Sequence, residues 1–234
     1  MTVLITGASQ GIGEAIALAF AADYGRRARI ALVARSTDKL EAVAERCRQR
    51  GATAQALPCD VTEEQAVGEM ANTVSEAFGV PDVLVNNAGF FEPGMFLETS
   101  AEMFRRQLEV NAVSAFLVTR AVLPEMLERE SGRVLMMGSV ASVRGYPSGA
   151  AYGAAKHALL GLARSLREET KGTGVGVTTL LPGATLTPSW DGVDLPPDRL
   201  MPAEDIARVV VELAGLSSRT VVEEVLLRPA EGDL

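Results

Sequence analysis

Short apolar runs alternate with longer segments of helical periodicity six times along this chain of 234 residues. The first run lies at residues 3–5 and the sixth at residues 177–181. Strands separated by helix-length connections pair in parallel, because each crossover returns the chain to the same end of the sheet. Neither a repeat period nor a shift in composition divides the pattern. It predicts one α/β domain over residues 1–234, a doubly wound, mostly parallel, Rossmann-like sheet with helices on both faces.

Local signals mark where some of these helices begin and end. Thr62-Glu63-Glu64-Gln65 fits the capping-box pattern, which predicts a helix with Thr62 as its N-cap. Ser100 begins another helical pattern, within which Pro124 is expected to bend or break the helix because proline lacks the backbone N–H. Residues 188–202 are rich in Pro and Asp and predict one long irregular loop, which we interpret as a short substrate lid.

Charge and composition argue against several classes of function. The formal net charge of −8 disfavours nucleic acid as the main partner. No apolar run approaches the ~20 residues of a membrane-spanning helix, and no basic leader with a cleavage site precedes the first strand. Cys47 and Cys59 have no motif spacing and are expected to be reduced thiols, and a single histidine, His157, disfavours a metal site. We therefore expect a cytoplasmic protein with no metal, no nucleic acid and no membrane partner.

A glycine-rich turn joins the first predicted strand to the first helix. It reads Thr6-Gly7-Ala8-Ser9-Gln10-Gly11-Ile12-Gly13, and an apolar helical pattern follows at once. A strand, a glycine loop and a helix in this order offer bare N–H groups and the positive end of the helix to a phosphate. The spacing is Gly-x-x-x-Gly-x-Gly and differs from the Gly-x-Gly-x-x-Gly dinucleotide fingerprint, so an ordinary glycine turn is the alternative.

The second predicted strand, residues 30–33, ends at Ala34-Arg35-Ser36. In dinucleotide-binding folds an acidic residue here binds the ribose 2′-hydroxyl, whereas an arginine accommodates a 2′-phosphate. This chain has Arg35 and no acidic residue beside it, which favours NADP(H) over NAD(H). The alternative is an arginine that is merely solvated at the end of a strand.

Small and amide residues, Asn86-Asn87-Ala88-Gly89, follow the fourth predicted strand at residues 83–85. They suit the close approach of a ligand, although a plain turn is the simpler alternative. Ser139 follows the fifth strand, and Thr187 lies beyond the sixth. Open α/β sheets bind ligands at the carboxyl ends of their strands, so we expect these groups and the glycine loop to meet in one cleft.

Tyr152 and Lys156 open a helical pattern and are spaced so that both side chains lie on one helix face. A free tyrosine titrates near pH ~10. A cation at about 4 Å contributes roughly 1–4 kcal/mol, which predicts that Lys156 lowers the tyrosine pKa by about one to three units. The Ser139 hydroxyl is placed to hold the oxygen atom that Tyr152 protonates. Tyr-x-x-x-Lys alone is a weak signal of a catalytic site, and the alternative is a surface tyrosine with a solvated lysine. The expected convergence on one cleft favours the catalytic interpretation.

Together these features resemble the short-chain dehydrogenase/reductase family in its single-domain branch. The matching residues occur in family order and span residues 2–187. They are Thr6-Gly-x-x-x-Gly-x-Gly13, Asp60, Asn86-Asn-Ala-Gly89, Asn111, Ser139, Tyr152-x-x-x-Lys156 and Pro182-Gly183. The resemblance implies an NADP-dependent oxidoreductase that interconverts alcohols and carbonyl compounds.

The resemblance also implies the role of each catalytic residue. Tyr152 donates the proton to the substrate oxygen, and Ser139 positions that oxygen. Lys156 lowers the tyrosine pKa and holds the nicotinamide ribose. Asn111 anchors a water that relays protons.

The same resemblance places NADP(H) along the edge of the sheet. Asp60 is expected at the adenine and residues 87–89 at the nicotinamide half. Two positions depart from the family pattern: Thr185, where Val or Ile is usual, and Gln10, where many NADP-using members carry Lys or Arg. Selection of the 2′-phosphate is therefore expected to rest mainly on Arg35. The residues expected at the cofactor are Gly7, Ser9, Gln10, Gly11, Ile12, Gly13, Arg35, Ser36, Asp60, Val61, Asn87, Ala88, Gly89, Tyr152, Lys156, Pro182, Gly183, Thr185 and Thr187.

The expected substrate is a small or medium ketone or aldehyde that NADPH reduces to the alcohol. Residues 186–229 resemble bacterial sepiapterin-reductase-like members, which favours a compact planar or aromatic ketone. Alternatives are a 3-oxoacyl thioester reductase, a hydroxy-acid dehydrogenase, an NAD-linked alcohol dehydrogenase working oxidatively and a non-catalytic dinucleotide sensor. The residues expected at the substrate are Ser139, Ala141, Tyr146, Tyr152, Leu186 and Trp190, with Phe90, Phe91 and Val140 in the same apolar wall.

A homodimer or homotetramer is also expected. The helical patterns at residues 100–128 and 152–170 are apolar over more than one stripe, with Phe116 and Leu160 as examples. This is more apolar surface than contact with a single sheet face requires. In the family, the corresponding helices form the main subunit interface.

Overall fold

A parallel sheet forms the centre of the fold. The computed structural model describes residues 1–232, apart from the side chain at position 197, and this part of the chain contains seven strands. Their spatial order is β3-β2-β1-β4-β5-β6-β7, and every pairing is parallel. The predicted doubly wound sheet is confirmed. The strands are β1 (Thr2–Thr6), β2 (Arg29–Ala34), β3 (Thr53–Pro58), β4 (Val83–Asn86), β5 (Gly132–Met137), β6 (Val175–Pro182) and β7 (Glu224–Leu227).

Helices cover both faces of this sheet. Buried side chains of α1, α2 and α7 form a hydrophobic core on one face, and those of α3, α5 and α6 form a second core on the other. The helices are α1 (Gly11–Tyr24), α2 (Thr37–Gln49), α3 (Glu64–Phe78), α4 (Ala101–Leu108), α5 (Ser114–Glu128), α6 (Ala150–Glu169) and α7 (Ala203–Ala214).

The sheet grows in opposite directions from β1, and this reversal positions the site. Ile5 of β1 pairs with Leu32 on one side and with Val85 on the other. All five residues of β1 are buried, as expected for a parallel strand that helices cover on both faces. The loops that follow β1 and β4 therefore open side by side at the carboxyl edge, where sheets of this type bind ligands.

The predicted capping box at Thr62 is wrong. Helix α3 begins at Glu64, and its N-cap residue Glu63 makes no side-chain capping bond. The Thr62 hydroxyl instead donates to the Asp60 carboxylate at 2.7 Å, and the Thr62 N–H donates to the same oxygen atom at 3.1 Å. The Thr62 hydroxyl and N–H both point to the Asp60 carboxylate, which accepts strong, charge-assisted bonds, so Thr62 is held in the loop before α3 rather than at its N-cap.

Pro124 does not break its helix, because α5 continues through it to Glu128. A residue with an N–H at this position would donate to the Arg120 carbonyl. Because Arg120 is exposed, water can donate to that carbonyl instead, and the helix continues. The irregularity lies earlier, in a π-helical turn at Glu109–Val113 that joins α4 to α5. Ser114 donates its hydroxyl to the Val110 carbonyl at 2.7 Å and so satisfies a backbone group within this turn.

The continuous helix Ala101–Glu128 is long and apolar enough to cross a membrane by length and composition alone. The core helix of a soluble protein meets the same test, and Val118 and Met126 are buried in this fold. Phe104 and Phe116, in contrast, are exposed on its outer surface. Two exposed aromatic side chains therefore lie on the outer surface of this helix.

Candidate active site

The glycine loop is held in a shape that leaves backbone N–H groups free. Gly7 has a φ of +64°, and a Cβ there would lie only 2.9 Å from the Ala88 Cα, so only glycine fits without strain. Gln10 then enters α1 in an extended conformation and makes no side-chain capping bond. The first-turn N–H groups of this 14-residue helix are therefore available to an anionic ligand.

Thr6 and Asn87 lock the glycine loop to the loop after β4. The Asn87 amide donates to the carbonyls of Thr6 and Gly7 at 3.0 and 3.2 Å. The Thr6 hydroxyl accepts the N–H groups of Asn87 and Ala88, both at 3.0 Å. The Asn87 side chain, which we expected at the nicotinamide, is thus committed to shaping the cradle. Thr6 was not among the predicted site residues, although a hydroxyl directly before Gly7 was a visible signal.

A cleft of about 1080 Å³ opens at this edge of the sheet. It brings together nine of the residues predicted for the cofactor and also admits Lys39. The Thr62 hydroxyl bond, opposed by burial, keeps the pKa of the Asp60 carboxyl below its ordinary value, so this wall stays anionic. The predicted residues that line the cleft are Gly7, Ser9, Gln10, Arg35, Ser36, Asp60, Val61, Ala88 and Gly89.

Lys39 is a cleft residue that the sequence reasoning missed. Its ammonium donates to the Gln10 side-chain oxygen at 2.9 Å, and both residues line the cleft with Arg35. Many NADP-using members of the family carry a basic residue at the position of Gln10. In this chain Lys39 of α2 brings a cation to the same place. The signal in the sequence was weak, namely a lysine four residues after Arg35 and in the first turn of the next helix.

Asn111 lies in the π-helical turn and is only 1% exposed. Its amide nitrogen faces the Phe90 carbonyl at 3.0 Å, and the Gln107 carbonyl and side-chain oxygen at 3.0 and 3.1 Å. Its Oδ1 atom is buried without a hydrogen-bond partner. A Cβ on Gly89 would lie 2.6 Å from this oxygen and 3.5 Å from the Lys156 ammonium. Asn111 and Lys156 therefore border the same point beside the loop after β4.

Lys156 is buried beside the loop after β4. It is 4% exposed, and its ammonium donates to the Met137 carbonyl at 2.8 Å. Burial lowers the pKa of the ammonium from 10.5 to about 8. The ammonium lies 5.5 Å from the centre of the Tyr152 ring, so the two side chains share one face of α6 as the spacing predicted.

The predicted direction of the Tyr152 pKa shift is wrong for the protein without ligands. Burial raises the pKa of the phenol, and a hydrogen bond with Ser139 opposes the rise without reversing it. The Lys156 ammonium donates to the Met137 carbonyl, and burial lowers its own pKa, which disfavours its charged form. Desolvation of the phenolate therefore outweighs the attraction that the sequence argument considered alone.

A short capping turn fixes Ser139 beside Tyr152. The Ser139 hydroxyl accepts the N–H of Ala141 at 3.1 Å, and the Ser139 N–H donates to the Ser142 hydroxyl at 3.2 Å. Ser142 is 1% exposed and was not predicted, although the pair Ser139 and Ser142 has the spacing of a capping box. The turn leaves the Ser139 hydroxyl hydrogen within reach of a ligand oxygen.

Aromatic rings form one wall next to Tyr152. The Phe91 ring meets Tyr152 edge-on at 5.2 Å between centroids and Tyr146 at 6.2 Å. Phe91 is 43% exposed, whereas Ala141 is buried. Phe90 differs from the expectation: it lines the cofactor cleft, where the Arg106 guanidinium covers its ring at 5.6 Å.

The segment after β6 approaches the glycine loop. A Cβ on Gly11 would lie 3.2 Å from the Thr187 methyl group, which places Thr187 over the start of α1. The Thr185 hydroxyl is turned back to the Gly183 carbonyl at 3.0 Å. Trp190 is partly buried at the end of a short 3₁₀ turn, and within residues 1–232 no ring contact joins it to Tyr152.

The remaining predicted residues support the site through the backbone. Ile12 packs against the hydrophobic core beneath the loop, and Gly13 is buried. Pro182 ends β6, and the Gly183 N–H donates to the Leu227 carbonyl at 2.8 Å, which joins the segment to β7. Leu186, predicted at the substrate, is 47% exposed.

The arrangement fits a nicotinamide dinucleotide. The glycine cradle and the free N–H groups of α1 suit a pyrophosphate. Arg35 and Lys39 supply positive charge to the lining of the cleft, and the unpartnered Asn111 Oδ1 lies beside Gly89, another residue of this lining. In this arrangement Ser139, Tyr152 and Lys156 would border the reactive end.

Comparisons with known proteins identify the family of this chain. A family model described as short chain dehydrogenase matches residues 1–195. Sepiapterin reductase of Chlorobaculum tepidum is 35% identical over 99% of this chain and 97% of its own length. An alcohol dehydrogenase of Thermococcus sibiricus, solved with 5-hydroxy-NADP, is 33% identical, covers 100% of this chain and 98% of its own, and gives a TM-score of 0.92. A metagenomic short-chain oxidoreductase, solved with NADP, is 33% identical over 98% of this chain and 97% of its own, with a TM-score of 0.86.

These matches extend from the glycine loop through the catalytic helix, so they include every element that forms the site. The relatives also match this chain over nearly its full length. This chain therefore belongs to the short-chain dehydrogenase family and is an oxidoreductase.

Proposed function

We propose that this protein uses NADPH to reduce a small or medium ketone or aldehyde to the alcohol. One observation carries the proposal: the Tyr152 phenol is hydrogen-bonded to Ser139, and the Lys156 ammonium lies 5.5 Å from the centre of the Tyr152 ring, so the three side chains meet at one place. A phenol that keeps its proton at neutral pH is able to act as the acid toward a carbonyl oxygen. The bound nicotinamide dinucleotide supplies the hydride.

The side chains of the site have distinct tasks in this proposal. The Ser139 hydroxyl holds the carbonyl oxygen beside Tyr152, which donates the proton. The Lys156 ammonium stabilises the phenolate that remains, because an opposite charge favours the ionised form in a buried site. The unpartnered Oδ1 of Asn111 accepts a hydrogen bond from a water that returns the proton.

The charge in the lining of the cleft supports NADPH over NADH. Arg35 and Lys39 both belong to this lining, and the Ser36 hydroxyl caps no backbone group of α2. Two cations and a hydroxyl suit a 2′-phosphate, whereas a bare ribose hydroxyl gains little from them. The NADP-type ligands of the two solved relatives support the same preference.

The wall beside Tyr152 supports a compact planar or aromatic ketone. Phe91 presents a partly exposed ring, and Tyr146 packs against it. Rings in this arrangement favour a flat apolar substrate by offset or edge-on contact. The similarity to a sepiapterin reductase supports this class over an acyl thioester or a hydroxy acid. A dinucleotide sensor is disfavoured because it has no need of the Asn, Ser, Tyr and Lys set.

A panel of carbonyl substrates tests the proposal. NADPH consumption is followed with aromatic ketones, diketones, a pterin ketone, hydroxy-acid precursors and an acetoacetyl thioester. We expect the highest kcat/KM with a planar or aromatic ketone. Fastest turnover of the thioester would instead identify a 3-oxoacyl reductase, and cofactor binding without turnover of any compound would favour the sensor.

We also propose a cytoplasmic homodimer or homotetramer. Phe96 and Leu97 are 78% and 95% exposed, close in sequence to the outer face of the Ala101–Glu128 helix with Phe104 and Phe116. A second copy of the chain would cover this apolar surface. The cytoplasmic location rests on two cysteines that are free and buried, which suits a reducing compartment.

A further inference from the structure

Gln107 is a fully buried polar side chain for which the proposed chemistry gives no role. It lies in the last turn of α4 and is 0% exposed. Its amide nitrogen donates to the Glu92 carbonyl at 3.0 Å, and its side-chain oxygen accepts from the Asn111 amide at 3.1 Å. Both ends of the side chain are therefore used, and one end reaches a catalytic residue.

The polarity of this chain of hydrogen bonds is fixed from both sides. The Glu92 carbonyl accepts only, so the Gln107 amide nitrogen must face it and the Gln107 oxygen must face Asn111. The Asn111 nitrogen then has three acceptors for two hydrogens, counting the Phe90 and Gln107 carbonyls. This arrangement keeps the Asn111 Oδ1 atom pointing to Gly89 and Lys156, where it has no protein partner.

The same two amides hold the backbone on either side of Phe91. Asn111 binds the carbonyl of Phe90, and Gln107 binds the carbonyl of Glu92. Phe91 lies between these two anchors, and its ring meets the Tyr152 ring edge-on at 5.2 Å. The position of the aromatic wall and the orientation of the Asn111 amide thus depend on one buried glutamine.

We propose that Gln107 is a positioning residue, which orients the Asn111 amide and clamps Phe91 against Tyr152. It touches neither substrate nor cofactor and acts only through these neighbours. The inference rests on the proposed carbonyl reduction, because it assigns Gln107 a part in that reaction. It predicts that losing the side chain changes the chemical step and substrate binding while NADPH binding is retained.

Two substitutions and one control test the role. Gln107→Leu keeps the shape and removes both hydrogen bonds. Gln107→Glu restores the pattern only when the new carboxyl is protonated, since the ionised form has no hydrogen for the Glu92 carbonyl. Burial raises the pKa of such a carboxyl, and the charged groups near the network are the Lys156 ammonium and the Arg106 guanidinium, which pairs with the Glu92 carboxylate. Thr119→Val is the control, because it also removes a buried side-chain hydrogen bond from the same long helix. The lost bond is the one that Thr119 accepts from Asn86.

For Gln107→Leu we expect kcat to fall by about tenfold and the KM for the ketone to rise, since small displacements of reacting groups are costly. The Kd for NADPH and the folded fraction should match those of the Thr119→Val control. The kcat of Gln107→Glu should rise relative to the unmodified protein as the pH falls. Equal kcat for Gln107→Leu and the control would overturn the inference.

A second measurement does not depend on the substrate. The Asn111 side-chain NH2 signals, assigned by their absence in Asn111→Asp, should exchange slowly with deuterium in the unmodified protein. Exchange should accelerate at least tenfold in Gln107→Leu, because a buried partner is lost. Unchanged exchange refutes the positioning role. If the unmodified protein reduces no ketone in the panel, the proposed function fails, and this exchange still decides whether Gln107 holds Asn111.

Discussion

Replacing Lys156 with methionine should stabilise the protein without ligands while abolishing catalysis. The folded state holds an almost fully buried ammonium, whose pKa burial lowers from 10.5 to about 8. Below pH 8 both the folded and the unfolded chain carry the proton, so the folded state bears the whole cost of the buried charge. As the pH rises from 8 to 10.5, the folded state loses its proton first and the cost disappears.

The magnitude follows from the shift and from one hydrogen bond. The pKa difference corresponds to about 3 kcal/mol of lost stability at neutral pH, at about 1.36 kcal/mol per unit. Lys156→Met removes this cost but leaves the Met137 carbonyl without its donor, which costs about 1–2 kcal/mol. At pH 7 the variant should therefore be more stable by about 1–2 kcal/mol. At pH 10.5 the order reverses, because only the lost hydrogen bond remains.

Urea unfolding at pH 7 and at pH 10.5, without cofactor, measures both differences. Lys171→Met is the matched control, because Lys171 is exposed and pairs with Glu168 on the surface. Its stability should stay within about 0.5 kcal/mol of the unmodified protein at pH 7. A Lys156→Met variant that is less stable than the unmodified protein by more than 1 kcal/mol at pH 7 would refute the claim that burial of the ammonium is costly.

Three further predictions concern the site and the assembly. Tyr152→Phe should lower kcat by about 10²–10⁴-fold with NADPH binding retained, measured by steady-state kinetics and fluorescence titration; near-normal turnover excludes Tyr152 as the acid. Arg35→Asp should abolish or reverse the preference for NADPH, and Lys39→Met should weaken it by about tenfold; equal kcat/KM for both cofactors in the unmodified protein contradicts this. Light scattering should show a multiple of 24.7 kDa, and the double variant Phe96→Asp, Leu97→Asp should shift it toward the monomer mass; a monomer at micromolar concentration removes the assembly proposal.

Some of the site could be predicted from the sequence because it depends on local order along the chain. The glycine loop had to follow β1, and Tyr152 and Lys156 had to share a helix face. These groups follow the carboxyl ends of their strands, and in a parallel sheet those ends lie at one edge. No contact between distant residues was needed for these inferences.

Other parts of the site depend on distances that one sequence does not show. The bond of Lys39 to Gln10 spans two elements, and Gln107 reaches Glu92 in a different loop. The Thr62 hydroxyl donates to Asp60, and this bond depends on the conformation of the loop after β3. Such pairings become visible only when the backbone has brought their donors and acceptors together.

The sequence by itself therefore determined the layered parallel fold and the family, because periodicity and motif order are properties of the chain. Only the tertiary structure decided the electrostatics of Tyr152 and Lys156. Desolvation depends on what packs around a group from every direction, and this burial raised the pKa of Tyr152 and lowered that of Lys156. The spacing of the two residues along the chain reveals the attraction between their side chains, but the water that both of them lose depends on the surrounding packing.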